Sequence, residues 1–402
     1  MPGEYDLFSR RARRDPYPGY RRIREEAPVY WDGRKWTLTR YDDVLAALSD
    51  PRWSVEQGGF APAPGDGEGD DHDALNRTLR DMMLLADPPR HTRLRGLVAQ
   101  AFSARAIRRM AEEIARQVDE MLVEVKPRGR MDVIADLGNP LPGRVIAAML
   151  GVPASDQEQL KRWATGIAFA LDSTGSRDAE ERRRQGRQVV VELAAYLREI
   201  IAARRRAPRD DLITALVQAR DRDDRLTEDE VVSTVILLLF AGNETTTNLI
   251  GNGVLTLLRH PDALARLRAD PGLLRTAVEE VLRFESPVQY TSRVALAPTA
   301  VGGKRIEPGQ TGVFVVGAAN RDPAQFADPD TFDVARAPNH HLGFGHGTHF
   351  CLGAPLARLQ GQLAIGAVAR LAGLEPTGGE VEWRETAGFR GLTALPIAFE
   401  AR

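Results

Sequence analysis

A single cysteine, Cys351, sits in the segment His341-Leu342-Gly343-Phe344-Gly345-His346-Gly347-Thr348-His349-Phe350-Cys351-Leu352-Gly353. The glycines spaced through it let the backbone approach a flat partner closely. The cysteine stands just before a helical pattern, where free N–H groups and the positive helix end favour a thiolate. Three chemistries suit such a residue. The plainest is none, since a lone cysteine commonly serves as a small buried hydrophobe. Zinc is the second, because His340, His341, His346 and His349 crowd the same stretch, although the common zinc spacings are not met. The third is a haem iron, which needs a thiolate with polar N–H groups around its sulfur to push electron density onto dioxygen. No Cys-x-x-Cys-His occurs, so such a haem would be held without a covalent link.

Three further constellations carry possible chemistry. Ala241-Gly242-Asn243-Glu244-Thr245-Thr246 follows an apolar run, and a carboxylate inside a buried apolar helix requires a partner or a purpose. Alternatively, Thr245 bonds back to the carbonyl one turn earlier and bends the helix with no chemistry at all. Glu280 and Arg283 form an i,i+3 pair, a spacing that usually gives a solvated contact worth a few tenths of a kcal/mol. His91 and Arg95, after Asp87-Pro88-Pro89, are spaced i,i+4 and share one helix face.

These residues must be positioned by a chain of 402 residues that is 43% hydrophobic and 27% charged, ample for a large core. With a net charge of −2, no global charge argues for nucleic acid or an anionic membrane as a partner. Arginine supplies nearly all the positive charge, with lysine only at 35, 126, 161 and 304. One cysteine makes no internal disulfide. Met1 to Arg14 has no apolar signal core, and the longest apolar run, Val235 to Gly242, is far short of the ~20 residues that span a bilayer. A soluble, cytoplasmic protein is expected.

A β-hairpin is expected early, with Val29-Tyr30-Trp31 before a type I′ turn at Asp32-Gly33 and Trp36, Leu38 and Tyr41 after it. Residues 57 to 73, rich in Gly, Pro and Asp, read as a mobile loop and entry lid. From about residue 88 to 285 the pattern is almost wholly helical, with capping boxes at Ser155…Glu158 and Thr227…Glu230. The second box opens a helix that runs to His260, stopped by Pro261, and its middle is apolar on all sides. Short strands follow Pro287, at Tyr290–Ala297, Lys304–Ile306 and Gly312–Val316. Residues 318–350 are irregular, a helix starts past Cys351 and runs through Leu371, and the tail around Gly391 to Pro396 reads as a closing hairpin.

The frame Phe344, Gly347, Cys351 and Gly353 resembles the haem-binding loop of the cytochromes P-450 of the soluble bacterial type, and the likeness extends from about residue 15 to the end. The resemblance implies a mainly α fold, a triangular helical prism with a smaller β region, forming one haem domain over residues 1–402. It implies non-covalent haem b with Cys351 as the iron ligand and Phe344 and Gly353 beside it. The propionates fall to His91, Arg95, Arg293 and His349, cationic and N–H donors of the kind such carboxylates demand. Glu244 and Thr245 match the acid–alcohol pair that relays protons to dioxygen in a small helix gap, with glutamate in place of the more frequent aspartate. Glu280 and Arg283, joined by Arg336, match a structural lock on the loop leading to the cysteine.

The implied activity is monooxygenation of a lipophilic small molecule by dioxygen, in the manner of actinobacterial enzymes that tailor macrolides, other polyketides or terpenoids. Substrate walls are expected from residues 57–86, helices between about 165 and 195, Leu238–Gly242, Val288–Thr291 and Leu392-Thr393. No flavin or nicotinamide domain is expected within 402 residues, so electrons come from a ferredoxin or flavodoxin-type donor with its NAD(P)H reductase. Arg90, Arg93, Arg105, Arg108 and Arg109 offer that donor a basic face. A monomer is expected, with no membrane or nucleic-acid partner. Rival readings are a peroxide-driven peroxygenase, the same oxidant used for desaturation or coupling, a haem sensor, and a haem-free protein-binding module of the same fold.

Overall fold

Helix and strand signals are realised where local chemistry and an apolar face coincide, and they shift by a residue or more where a distant partner competes. The computed structural model describes residues 5–7, 9–56, 77–102, 104–171, 179–221, 224–386 and 388–401. The lid expected at residues 57–73 lies outside them. The chain divides into two compact units, one of Met1–Ser54, Ala111–Pro142 and Glu244–Arg402, the other of Val55–Met110 and Gly143–Asn243.

The first unit holds a five-stranded sheet. Val29–Trp31 pairs antiparallel with Lys35–Leu38, with Trp31 opposite Trp36. The turn is centred on Gly33-Arg34 rather than on Asp32-Gly33. Of these two only Gly33 has positive φ, +94°, which suits a II′ turn rather than I′. The Asp32 carboxylate causes the shift, accepting from the N–H groups of Arg34 and Lys35 at 2.8 Å each. Thr311–Phe314 lies parallel to Lys35–Leu38, followed by Thr291–Ala295 and Trp53–Ser54. Buried Leu38, Trp53, Val44 and Phe314 form its core, with the Trp53 and Phe314 rings edge to face at 5.1 Å. Tyr41 does not extend the hairpin. Its N–H donates to the Asp322 carboxylate at 2.8 Å, and it opens the helix Tyr41–Ser49.

Residues 88–285 are mostly helical, as expected, with short strands between the helices. Arg130–Asp132 is a strand, paired with Pro396–Ala398, which pairs in turn with Glu375–Pro376. The tail therefore closes a three-stranded sheet rather than a hairpin alone. The helical core of this unit joins Leu249 and Leu257, Leu264 and Leu267, Val278 and Val281, and Ile365. Fully burying each such side chain contributes roughly 1.5–3 kcal/mol.

In the second unit, Ser155 does not cap a helix. Its hydroxyl donates to the Asp156 carboxylate, and a 3₁₀ turn leads into the helix Gln157–Leu171. The box at Thr227 is realised: Thr227 N–H donates to Glu230 at 2.8 Å and Glu230 N–H to the Thr227 hydroxyl at 3.2 Å. It opens the helix Glu228–Arg259, 32 residues, roughly 48 Å long at 1.5 Å per residue. Among the described residues no helix is long and apolar enough to cross a membrane.

Candidate functional site

The cysteine loop is built from backbone hydrogen bonds in the first unit. Leu342 N–H donates to the Asn320 amide oxygen at 2.7 Å, and Asn320 is itself held by Ser286 at 2.8 Å. Gly345 N–H reaches Leu342 O at 2.8 Å, and Cys351 N–H reaches Phe344 O at 2.9 Å. Gly347 has φ of +66°, and a Cβ there would stand 2.9 Å from Leu48 O, so only glycine fits. Cys351 is partly accessible and lies three residues before the helix Ala354–Ala369, whose first turn begins from Gly353.

The residues present fit a haem iron. A Cβ added at Gly353 would meet only the Cys351 Sγ, at 3.9 Å, so the space beside the sulfur is open. A partly accessible thiol ahead of a helix is the setting that favours thiolate. The competing zinc reading loses its ligands. His341 is directed instead to Glu279 at 3.1 Å, and among the described residues no group of three or more His, Cys, Asp or Glu could hold a metal ion.

The long helix runs without a break through Ala241–Thr246, so the expected gap is not a break in the helix. Its sides are buried from Val231 to Leu237 and again from Thr246 to Leu257, whereas residues 240–245 are accessible. Glu244 has an ion-pair partner that its sequence neighbourhood did not reveal, Arg384, at 3.7 Å. Arg384 also donates to Leu392 O at 3.1 Å and to the Asn139 side chain at 3.2 Å. One turn beyond Thr245, the fully buried Asn248 amide has no hydrogen-bond partner among the described residues. The backbone of Gly391 presses against it, since a Cβ there would lie 1.8 Å from Asn248 Oδ1.

The structure brings Glu280, Arg283 and Arg336 together. Glu280 and Arg283 are wholly buried and paired at 2.7 and 2.8 Å. Arg336 reaches Glu280 at 3.1 Å, as does Asn339. Arg283 also donates to the carbonyls of Asn320, Pro329 and Thr331, so one guanidinium ties the irregular stretch at three points.

The expected propionate donors divide between the units. In the first, Arg293 lies in the strand Thr291–Ala295 and His349 in the 3₁₀ turn Gly347–His349. In the second, His91 and Arg95 share the helix Arg90–Ala101. Burial pushes the His91 imidazole pKa down and the Arg95 charge adds to this, as one shared face predicts.

Of the five arginines expected to form a basic face, three have partners within the second unit: Arg90 pairs with Glu56 at 3.0 Å, Arg93 with Asp224 and Glu230 at 2.6 Å, and Arg109 with Asp210. Of the expected substrate walls on the tail, Leu392 is wholly buried and Thr393 exposed, while Phe389, half-buried, is bridged to Val288. The second unit also has a cavity of about 120 Å³ lined by Arg77, Asp81, Arg198, Asp229, Val190 and Val232. It is polar and smaller than the ~300 Å³ at which ligand pockets begin.

Comparison with known proteins agrees with these features. The family model described as Cytochrome P450 matches residues 65–271 and 272–388. The chain is 41% identical to the biotin biosynthesis cytochrome P450 of Bacillus subtilis (strain 168) over 394 residues, 96% of this chain and 97% of that protein. It is 40% identical to the cytochrome P450 monooxygenase PikC of Streptomyces venezuelae over 397 residues, 95% of this chain and 91% of that protein. Its fold matches a crystal structure of P450BioI in complex with an acyl carrier protein ligated to hexadec-9Z-enoic acid. That match has a TM-score of 0.89 at 40% identity and covers 97% of this chain and 99% of the other.

Proposed function

This chain belongs to the cytochrome P450 family, and on that premise we propose that it inserts one atom of dioxygen into a lipophilic organic substrate, by hydroxylation or epoxidation. The family's cofactor is haem, and the enzyme is a P450 oxidoreductase of the kind found in bacterial secondary metabolism. The observation that carries the reading is the partly accessible Cys351 thiol, three residues before the helix Ala354–Ala369, within a loop held by Asn320 and Phe344.

Haem, when bound, supplies the activation of dioxygen. The rest of the work falls to side chains of this chain. Cys351 would hold the iron, with Phe344 and Gly353 beside it, and His91, Arg95, Arg293 and His349 would hold the propionates. Glu244 and Thr245 lie next to each other where the long helix is accessible. There the hydroxyl holds a proton in place and the carboxylate, facing Arg384, replenishes it. Glu280, Arg283 and Arg336 fix the segment that leads to the cysteine. We propose a monomeric, cytoplasmic, single haem domain that takes its electrons from a ferredoxin or flavodoxin-type donor and its reductase.

Oxygen labelling tests the reaction class. With labelled dioxygen and a reduced donor, product should carry one labelled atom and no product should form without the donor. Equal turnover from hydrogen peroxide alone would favour the peroxygenase reading instead. Candidate substrates, free and tethered to a carrier protein, can be ranked beforehand by the haem spectral shift. The tethered arm is included because P450BioI was captured with a carrier-bound fatty acid.

A further inference from the structure

Glu279 precedes the buried Glu280 on the helix Leu274–Phe284 but turns to other partners. Arg358, in the second turn of the helix that follows Cys351, donates to both its oxygens at 2.7 and 2.8 Å, a bidentate, charge-assisted pair. His341 Nε2 lies 3.1 Å from the same carboxylate. Its other ring nitrogen, Nδ1, accepts the Gly343 N–H at 3.1 Å, which assigns the neutral tautomer with Nε2–H as the donor. Burial alone would push the Glu279 carboxyl up, but the hydrogen bonds from His341 and Arg358 outweigh it and hold the pKa at about 2.

The group therefore carries one fixed negative and one fixed positive charge, and both meet the cysteine loop. The Arg358 guanidinium lies 4.6 Å from the centre of the Phe344 ring, a cation–π contact, and the His341 ring lies 6.0 Å from it. Phe344 O in turn accepts the N–H of Cys351 at 2.9 Å. One guanidinium and a neutral imidazole, both tied to Glu279, thus pack against the residue whose carbonyl accepts the cysteine N–H.

We propose that Glu279, Arg358 and His341 form a charged brace that fixes Phe344 and sets the reduction potential of the iron held by Cys351. They are positioning residues for electron uptake. This rests on the haem-thiolate reading above and adds to it a means of tuning. The step concerned is the transfer of one electron from the external donor to ferric iron, giving ferrous iron, with no bond made or broken. Adding negative charge near the thiolate disfavours that step, and removing it favours it. As a general scale, a unit charge ~10 Å from a redox centre in a medium of effective dielectric near 20 alters such an equilibrium by about tenfold.

The test is the reduction potential of haem-replete protein in four forms: wild type, Arg358→Gln, Glu279→Gln, and both together. Arg358→Gln should make reduction ~10-fold less favourable, about 59 mV for one electron. Glu279→Gln should shift it by a similar amount in the opposite direction, and the double variant should return to within ~3-fold of wild type. A merely structural brace predicts that both single variants loosen the loop and move the potential the same way. That outcome, or no shift in either, overturns the proposal. If Arg358→Gln does not fold, Arg358→Lys keeps the charge without the two-pronged pairing. Its potential should stay near wild type while Glu279→Gln still raises it, and a fall in both contradicts the brace. The reduced carbon monoxide spectrum separates the two levels: a wild type without a thiolate band sinks the haem-thiolate reading itself, whereas a normal band with unmoved potentials sinks only the brace.

Discussion

In the proposed reaction Glu244 and Thr245 divide proton delivery between a carboxylate and a hydroxyl. Removing the hydroxyl should leave haem binding and electron uptake intact, because Thr245 belongs to neither the cysteine loop nor the propionate set. Thr245→Ala should still consume reduced cofactor, but much of the reduced dioxygen should leave as hydrogen peroxide. The expected fall in product per cofactor consumed is of the order of 10-fold or more, the scale of one positioned proton donor. An unchanged ratio would reduce Thr245 to a polar residue on a buried helix. At this scale the sequence was legible where residue types are rare and spacing is local: Cys351, the Glu280–Arg283 pair, and Glu244 beside Thr245. Arg384, Asn248 and the Glu279–Arg358–His341 group were not. The groups they meet lie far along the chain, Glu244 from Arg384, Asn248 from Gly391 and Glu279 from Arg358, and no local pattern encodes such a meeting.

Among the elements, the irregular stretch before the cysteine depends on one buried ion pair. Arg283 and Glu280 are both inaccessible, and the remaining donors of Arg283 are spent on three carbonyls. Glu280→Ala should leave that guanidinium without its counter-charge, a loss of about 3–5 kcal/mol. Mostly haem-free or insoluble protein is expected, read from the ratio of haem to protein absorbance and from the thermal midpoint. A well-folded, haem-replete but inactive variant would instead give Glu280 a part in the chemistry. Element boundaries were legible where the signal was self-contained, as with Thr227 and Glu230, whose reciprocal bonds open the long helix as the capping box predicts. They failed where a distant group intervened. Asp322 takes the N–H of Tyr41 and turns an expected strand residue into a helix start, and Arg130–Asp132 becomes a strand only because Pro396–Ala398 arrives to pair with it.

Over the whole molecule, the family and the fold agree with the single cysteine as the chain's defining feature, whereas net charge carries less than it first suggested. Three of the arginines expected to form a docking face for an acidic donor, Arg90, Arg93 and Arg109, are paired with carboxylates of their own unit. The single cysteine leaves no internal disulfide, and composition had no further resolving power because 27% charge is ordinary for a globular protein. The account's central claim is that Cys351 binds haem iron as a thiolate, and one absorption spectrum tests it most directly. Purified protein, reduced and exposed to carbon monoxide, should show the long-wavelength Soret band of haem-thiolate proteins, and Cys351→Ala should abolish that band. Survival of the band in Cys351→Ala, or purified wild-type protein that contains zinc and no haem, would contradict the claim.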